Sequence, residues 1–284
     1  MKDAIRELSS LAPLHNEPAL EAIESAQRAL PDVPHVAVFD TAFHATLAAE
    51  AAVYAVPRHW TENWSVRRYG FHGLSVQWAA ERVPVPRLVV CHLGGGCSIT
   101  AVRDGRSVET TMGFSPLEGV PMTTRSGSID PGALLYLLRE RGLSVADLDH
   151  ALEHESGLKG LSGRSGDVRE LEQAEASGDE RARLALGVYV HRIAAAVAAS
   201  AAALGGLDAL VFTAGVGEHS AAIRERVCTR LAFLGLALDS AANAFADADA
   251  DVAAPGSAVR VHIVRAREEL VIARAVRTLL ADGD

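Results

Sequence analysis

The sequence predicts an α/β fold, and three observations support this. Short apolar runs of strand length, such as 87–93 and 208–212, are separated by longer stretches in which apolar residues recur at helical spacing. Hydrophobic residues make up 49% of the chain and charged residues 22%, as expected of a globular protein. Glycine-rich turns follow two of the apolar runs, at 94–96 and 215–217. With 284 residues, the chain is long enough for one large domain or two ordinary ones.

Charge, cysteine content and hydropathy exclude several functional classes. The net charge of −9 does not indicate the basic surface that nucleic-acid-binding proteins use. Three cysteines are an odd number and too few for a disulfide scaffold, which favours a reducing, cytoplasmic setting. The N-terminus lacks the apolar core of a signal peptide, and the longest apolar run, 193–204, is shorter than the roughly 20 residues of a membrane span. We therefore expect a soluble protein in which this run is a buried helix.

The first 83 residues predict three helices and one strand. Asn16 is placed as the N-cap of the second helix, with Pro18 in its first turn. The strand ends in Asp40, at the kind of position where ligands collect in open α/β sheets. The predicted elements are helices at 4–11, 17–30 and 75–83, a strand at 35–40, and a polar loop at 67–73.

From residue 87 onward, strands alternate with longer helices. A buried strand at 87–93 runs through three glycines into a hairpin, whose turn is Asp104-Gly105. The longest helix, 180–204, is ended by two glycines. The other elements are strands at 98–102, 107–111, 208–212 and 259–264, and helices at 131–141, 145–155, 168–177, 221–234, within 241–254, and at 268–280.

Two glycine loops predict a site for phosphate groups. The loop 215–218 lies between a strand and a helix, where backbone N–H groups can meet ligand oxygens and a Cβ would block close approach or forbid a positive φ. The loop 93–96 follows another strand. Neither loop matches the Walker pattern or the full dinucleotide fingerprint. The alternative for each is a tight turn that holds nothing, and spacing alone leaves both interpretations open.

Asp40 and Arg125 are candidate polar groups outside these loops. Asp40 could orient a nucleophile, take part in metal binding, or simply cap the next short helix. Arg125 lies among many turn residues at 112–131, so it could stabilise charge on a transferred phosphoryl group. The alternative for Arg125 is an ordinary surface arginine.

His150, Glu153 and His154 match the inverted zinc-peptidase pattern, with both imidazoles on one helical face. The acidic neighbours of this stretch are typical of a solvated helix face, and no third ligand follows. We therefore expect no metal site here.

Taken together, the motifs resemble those of the acetate kinase family of short-chain carboxylate kinases. The similar stretches occur in the family's order and cover essentially the whole chain. They are 12–16, 38–44, 68–73, 92–94, 112–119, 124–127, 129–131, 156–158, 161–163, 212–218 and 268–274.

The resemblance implies the actin-like ATPase fold of sugar kinases and heat-shock proteins, in which two ribonuclease H-like domains close over ATP, and a homodimer. Residues 1–92 would be the remnant of the first domain and its connection, and 93–284 the nucleotide-binding domain, with the C-terminal end packing back on the first. The implied reaction is reversible transfer of the γ-phosphoryl group of ATP to acetate, giving acetyl phosphate, with Mg²⁺ or Mn²⁺.

The resemblance also implies roles for individual residues. The catalytic residues would be Asp40, His72 and Arg125, and the metal ligand Glu268, with Glu269 as the less favoured neighbour. The nucleotide-binding residues would be His92, Leu93, Gly94, Gly95, Gly96, Asp167, Val168, Arg169, Gly215, Val216, Gly217, Glu218 and His219. The substrate pocket would include Leu14, His15 and Phe71.

The chain also departs from the family pattern. The family's opening strand with its phosphate-binding turn, and a later segment with a substrate arginine, have no counterpart here, so we expect an N-terminally truncated member. Leu74, Val76, Gly95 and His219 stand where the family has Thr, His, Asn and Asn. Two expectations follow: an acetate kinase-like phosphotransferase, or a catalytically impaired remnant that binds nucleotide or forms dimers.

Overall fold

The computed structural model describes residues 2–7 and 13–281, which form helices and one mixed sheet. The strands of this part are β1 (Arg87–Leu93), β2 (Cys97–Arg103), β3 (Arg106–Thr110), β4 (Ala209–Thr213), β5 (Ala250–Asp251) and β6 (Arg260–Ile263). Its α-helices are α1 (Lys2–Glu7), α2 (Pro13–Ala29), α3 (Ala49–Ala52), α4 (Arg58–Trp64), α5 (Gly73–Arg82), α6 (Pro131–Glu140), α7 (Val145–His150), α8 (Gly157–Ser162), α9 (Val168–Ala176), α10 (Glu180–Leu204), α11 (Ala214–His219), α12 (Ala221–Arg230), α13 (Ser240–Phe245) and α14 (Glu268–Ala281). Short 3-10 helices lie at Ala42–Thr46 and Ala232–Leu234, and a π-helical turn at Ala151–Glu155.

The sheet brings the two glycine loops to one edge. Its strand order is β3-β2-β1-β4-β6-β5. Strands β1, β4 and β6 run parallel to one another. Strand β2 is antiparallel to β1, β3 to β2, and β5 to β6. His92 near the end of β1 pairs with Thr213 at the end of β4. The chain therefore leaves both strands at the same carboxyl edge, which is where open α/β sheets bind ligands.

Both faces of the sheet are covered by helices. On one face, Cys91 and Phe212 belong to a large buried cluster that includes residues of α10; on the other, Val90 and Val211 pack with residues of α5. Neighbouring residues along a strand point to opposite faces, so a strand that is covered on both sides becomes a continuous apolar run. This explains why β1 and β4 stand out in the sequence.

The chain divides into two compact units. The larger comprises residues 40–271 and holds the whole sheet, while the smaller comprises the residues up to 39 together with those from 272 onward. Within the smaller unit, Lys2 Nζ of α1 donates a hydrogen bond to Gln27 Oε1 of α2 at 2.9 Å. The domain boundary expected near residue 92 stays a prediction.

Two predictions near the N-terminus are wrong. Residues 35–40 form no strand, because no strand of the described part of the chain pairs with them to provide a ladder of backbone hydrogen bonds. Asn16 is not an N-cap, because α2 begins earlier, at Pro13. A proline is favoured at the first helical position, where its missing N–H costs nothing.

The helix α10 has the predicted bounds, Glu180–Leu204, and is therefore longer than the apolar run 193–204 by itself. By length and composition it could cross a membrane, and it is the one helix of the described residues that meets this test. Half of its most apolar window is nevertheless buried within the chain, where Leu186, Tyr189 and Ile193 join the large core cluster. The prediction that this run belongs to a buried helix is confirmed. The expectation that it is too short to cross a membrane does not hold for the whole helix, which has sufficient length.

Candidate active site

Three predicted nucleotide-binding segments line one cavity of about 530 Å³ at the carboxyl edge of β1 and β4. A volume of this size is typical of small-molecule sites. The predicted residues on its wall are Gly94, Gly95, Asp167, Val168, Arg169, Gly215, Val216 and His219. Sequence reasoning missed four further lining residues, Thr123, Gly166, Glu172 and Ser220. Thr123, Gly166 and Ser220 are small residues in loops or at a helix start and Glu172 lies within α9, so none of the four carries a distinctive sequence signal.

Other predicted nucleotide-binding residues lie off this wall. Leu93 is buried in the core, and Glu218 Oε1 accepts a hydrogen bond from the backbone N–H of Ala266 at 2.9 Å. His92 stacks against His72, as described below. The remaining two, Gly96 and Gly217, are close to the cavity in sequence but do not line it.

The glycine stretch after β4 is not the predicted turn. The helix α11 begins at Ala214, immediately after the strand, and Ala214 itself turns the chain with a φ of 64°. Neither Gly215 nor Gly217 has a positive φ. A Cβ on Gly217 would lie 3.3 Å from the carbonyl carbon of Phe212, so this glycine lets α11 pack closely on β4. The positive φ expected at one of the glycines therefore occurs at Ala214 instead.

Asp40 caps a helix, although not the one that follows it. Its Oδ2 accepts the backbone N–H of His72 at 2.5 Å, and its Oδ1 that of Leu74 at 3.3 Å, at the start of α5. The backbone of Asp40 lies so close to the start of α5 that a Cβ on Gly73 would be 2.0 Å from the carbonyl oxygen of Asp40. Asp40 thus holds the backbone of His72, which adopts the left-handed conformation with a φ of 59°.

His72 lies among polar groups at the ends of β1 and β2. Its ring stacks on that of His92, with centroids 3.9 Å apart and planes 13° apart, and its Nδ1 lies 3.0 Å from Ser98 Oγ. Burial, together with the neighbouring His72 ring, holds the pKa of His92 well below its usual range. His92 is therefore neutral at pH 7.

Arg125 and His72 face the same glycine. A Cβ on Gly96 would lie 3.1 Å from His72 Nε2 and 3.6 Å from Arg125 Nη1. The structure thus brings two predicted catalytic side chains together beside the loop 94–96. Because Gly96 has no side chain, these two nitrogens can lie this close to the backbone of the loop.

Glu153 is the partner of Arg125 that sequence reasoning missed. Its Oε2 lies 2.9 Å from Arg125 Nε in an ion pair, and the two side chains are 13% and 21% exposed. The expected solvated face is wrong for Glu153, because the π-helical turn 151–155 replaces the regular end of the helix. The same turn is tied to the Arg125 loop by the Thr124 hydroxyl, which donates to the carbonyl of Glu153 at 2.8 Å.

The zinc-type pattern gives no ligand cluster. The side chain of His150 is 64% exposed, and Glu153 is engaged with Arg125. Within residues 2–7 and 13–281, no group of three or more His, Cys, Asp or Glu side chains is arranged to hold a metal ion.

The predicted substrate-pocket residues are only partly described. Phe71 packs against the large core cluster, and its carbonyl lies 2.9 Å from the Nε2 atom of His44. Leu14 and His15 belong to α2, but their side chains lie outside the described part of the structure. Their placement in a substrate pocket stays a prediction.

The buried imidazole of His44 should make the stability of the chain depend on pH. Burial lowers its pKa, while its Nδ1 lies 2.8 Å from Ser107 Oγ. As the pH falls below about 6.5, the unfolded chain takes up a proton that folded His44 does not accept, so the free energy of unfolding should decrease. The decrease, measured by urea unfolding from about pH 7 to 5.5, should be shallower in His44→Gln. Exposed His59→Gln is the control, and equal slopes in the two variants would contradict the prediction.

Comparison with known proteins gives a consistent result. The model of the acetokinase family matches residues 1–274. An acetate kinase of Nostoc punctiforme is 51% identical over 282 residues, covering 96% of this chain and 69% of the relative. The crystal structure of Porphyromonas gingivalis acetate kinase superposes with a TM-score of 0.92 at 40% identity, covering 98% of this chain and 72% of that one.

A crystal structure of a propionate kinase from Francisella tularensis superposes almost as well. Its TM-score is 0.90 at 40% identity, covering 95% of this chain and 71% of that one. The actin-like ATPase fold implied by the sequence motifs is confirmed by these likenesses. The chain belongs to the acetokinase family.

Proposed function

We propose that this chain transfers the γ-phosphoryl group of ATP reversibly to a short-chain carboxylate, forming an acyl phosphate. The observation that supports this most directly is that His72 and Arg125 both lie beside Gly96, next in the chain to Gly94 and Gly95, which line the cavity at the sheet edge. Relatives named acetate kinase and propionate kinase are equally similar in the structural comparison. We therefore propose a short-chain carboxylate as substrate, with acetate as the first acid to test.

His72 and Arg125 would act on the group in transfer. A loose phosphoryl-transfer transition state spreads charge over its oxygens, so positioned donors and cations supply most of the catalytic effect. Asp40 would contribute by holding the backbone of His72, so that the imidazole faces Gly96. A direct contact of Asp40 with substrate is part of the same proposal.

Mg²⁺ or Mn²⁺ would enter with the nucleotide. Glu268 is the proposed protein ligand, and its Oε1 accepts a hydrogen bond from the Ser75 hydroxyl at 2.5 Å. Glu268 is half-buried, whereas Glu269 is exposed. Mg²⁺ is commonly held by one or two carboxylates plus substrate phosphates, so one fixed carboxylate fits such an ion. When bound, the ion would neutralise charge on the phosphates.

A second candidate function is a nucleotide-binding or dimerisation module with impaired catalysis. The observation that favours it is that Gly95 and His219, both on the cavity wall, stand where the family has Asn. A homodimer and a cytoplasmic location, both implied by the family resemblance, belong to the proposal as well. Light scattering of the purified chain tests the dimer.

The deciding experiment is acetyl phosphate formation by the purified chain with ATP, Mg²⁺ and acetate, trapped with hydroxylamine and repeated with propionate. We expect hydroxamate to accumulate in proportion to enzyme. If no hydroxamate forms but calorimetry detects MgATP binding, the nucleotide-binding module is supported. Absence of both turnover and binding, in a chain that light scattering shows to be monomeric, would contradict both candidate functions.

A further inference from the structure

An arginine, a glutamate and a tyrosine form a hydrogen-bonded network that links the stretches carrying His72 and Arg125. Arg68 lies four residues before His72, and Glu118 lies seven residues before Arg125. Arg68 Nη2 donates to Glu118 Oε1 at 3.1 Å, and the two side chains are 15% and 34% exposed. The hydroxyl of Tyr54, which lies between α3 and α4, donates to the other oxygen of the same carboxylate. The network therefore joins stretches that are far apart in the sequence.

The same side chains also hold the backbone of the loop 112–119. Arg68 Nη1 donates to three successive carbonyls, those of residues 110–112, at distances of 2.9 to 3.1 Å. The Tyr54 hydroxyl accepts a hydrogen bond from the backbone N–H of Phe114 at 2.9 Å. The beginning of the loop is thus fixed from two sides.

Gly113 brings this loop directly onto the stretch that leads to His72. Its carbonyl accepts the backbone N–H of Tyr69 at 3.0 Å and that of Gly70 at 3.3 Å. A Cβ on Gly113 would overlap Glu118 Oε2, so only a glycine leaves room for the carboxylate at this point. Because Gly70 precedes His72 by only two residues, the loop and the histidine share one backbone support.

Arg125 lies within a second loop that begins directly after Glu118. The ends of this loop are joined by two hydrogen bonds: the Ser128 N–H donates to the carbonyl of Gly119 at 2.8 Å, and the Gly119 N–H donates to Ser128 Oγ at 3.1 Å. Inside the loop, the Met122 N–H donates to the carbonyl of Arg125 at 3.1 Å. A loop that is closed at its ends moves with those ends, so the position of Glu118 determines the position of Arg125.

Stability alone gives little reason for such a network. A largely buried ion pair contributes little net stability compared with apolar side chains of similar volume, because both charges lose their hydration. A hydrogen-bonded polar network does, however, specify one geometry. Burial, and then the hydrogen bond to Glu118, raise the pKa of Tyr54 to about 13. The hydroxyl therefore stays protonated at neutral pH and remains a donor to Glu118.

We propose that Arg68, Glu118 and Tyr54 are positioning residues that set the place of Arg125 relative to His72. A displacement of about 1 Å in a catalytic group can cost about 100-fold in rate, so a support of this kind has a large effect on turnover. The inference rests on the proposed function, which assigns His72 and Arg125 to the phosphoryl group, and it adds the side chains that hold these two together.

Tyr54→Phe tests the inference with little disturbance, because it removes only the hydroxyl. We expect kcat for acetyl phosphate formation to fall about tenfold, while the KM for ATP stays within about twofold. In a chain that already carries Arg125→Ala, the same substitution should lower kcat no further, because the side chain that it positions is absent. If Tyr54→Phe leaves kcat unchanged, or lowers it by the same factor in both backgrounds, the inference is overturned.

Tyr69→Phe is the matched control, because it removes a hydroxyl that donates to the carbonyl of Ser65 at 2.9 Å, outside the network. Its kcat should stay within about twofold of that of the unchanged chain. A fall in kcat equal to that of Tyr54→Phe would overturn the inference, since the loss of any tyrosine hydroxyl in this region would then have the same effect.

Amide hydrogen exchange adds a measurement that needs no turnover. In Tyr54→Phe, peptides from 112–128 and from 68–72 should both exchange faster than in the unchanged chain, whereas Tyr69→Phe should leave 112–128 unchanged. Faster exchange in 112–119 alone would show that the two stretches are not coupled and would overturn the inference. If the unchanged chain has no turnover, the proposed function fails, and hydrogen exchange by itself decides whether the network holds the two stretches together.

Discussion

Replacing Arg125 with alanine should lower kcat for acetyl phosphate formation by about 10³-fold or more, with a much smaller change in the KM for ATP. The Nη1 atom of Arg125 lies beside Gly96, 3.6 Å from the place of a Cβ there, as does His72 Nε2 at 3.1 Å. Charge develops there only as the phosphoryl group moves, so loss of the cation should weaken the transition state more than the ground state. Steady-state kinetics at saturating acetate and varied ATP measure both constants.

The control for this prediction is Arg183→Ala, which removes an exposed arginine that pairs with Glu180 on the surface of α10. Such surface pairs contribute little, so kcat should stay within about twofold. An Arg125→Ala enzyme whose kcat matches that of the control would show that Arg125 is an ordinary structural arginine.

Glu153 provides a second arm of the same prediction. By engaging Nε, it leaves the Nη end of the guanidinium turned toward Gly96. Glu153→Gln keeps the size but loses the ion pair, so kcat should fall less than in Arg125→Ala, by about tenfold. Exposed Glu155→Gln, in the same π-helical turn, should have no effect. A rise in kcat in Glu153→Gln would mean that the carboxylate masks the charge of Arg125.

The central sheet and the long helices were predictable because their signals are local. The strands β1 and β4 are covered on both faces and appear in the sequence as unbroken apolar runs, and α10 was predicted with both ends as observed. The two-residue strand β5 and the short helices α3 and α4 were missed. Elements of this size contain too few residues to show a period, and their position is set by tertiary contacts.

The site was predictable in its residue types but not in its pairings. Two of the three segments around the cavity, 94–96 and 215–219, are marked in the sequence by glycines that follow strands, whereas the third, 167–169, was expected only from the family resemblance. By contrast, Asp40 caps a helix that starts 33 residues later, and Glu153 faces an arginine 28 residues before it. No local pattern encodes such contacts, since they depend on how loops return to the sheet edge. The pattern containing Glu153 pointed instead to a solvated helix.

Replacing Arg224 with alanine should lower the free energy of unfolding by about 3–5 kcal/mol. Its side chain is 2% exposed and makes four hydrogen bonds: Nη1 to the carbonyls of Gly217 and Glu218, Nε to Asn243 Oδ1, and Nη2 to the carbonyl of Asn243. The alanine variant would leave these acceptors buried and unpaired beside a cavity. Urea unfolding measures the change.

Arg230→Ala is the matched control, because Arg230 is exposed at the end of the same helix, α12. Its removal should cost at most about 1 kcal/mol, through the helix dipole. If Arg224→Ala is no more destabilising than Arg230→Ala, water must replace the lost hydrogen bonds. Arg224→Lys should fall between the two, since one ammonium cannot reach all the acceptors spread around the edge of the planar guanidinium.

The buried charge of Arg224 also connects stability to ligand binding. Its two contacts to Gly217 and Glu218 fix the carboxyl end of α11, while Gly215, Val216 and His219 of that helix line the nucleotide cavity. A cation at the carboxyl end of a helix is favourable, and no carboxylate of the described residues pairs with this one. We therefore expect Arg224→Lys, if folded, to bind MgATP more weakly than Arg230→Ala. Equal MgATP affinities in the two variants would show that Arg224 stabilises the fold without affecting nucleotide binding.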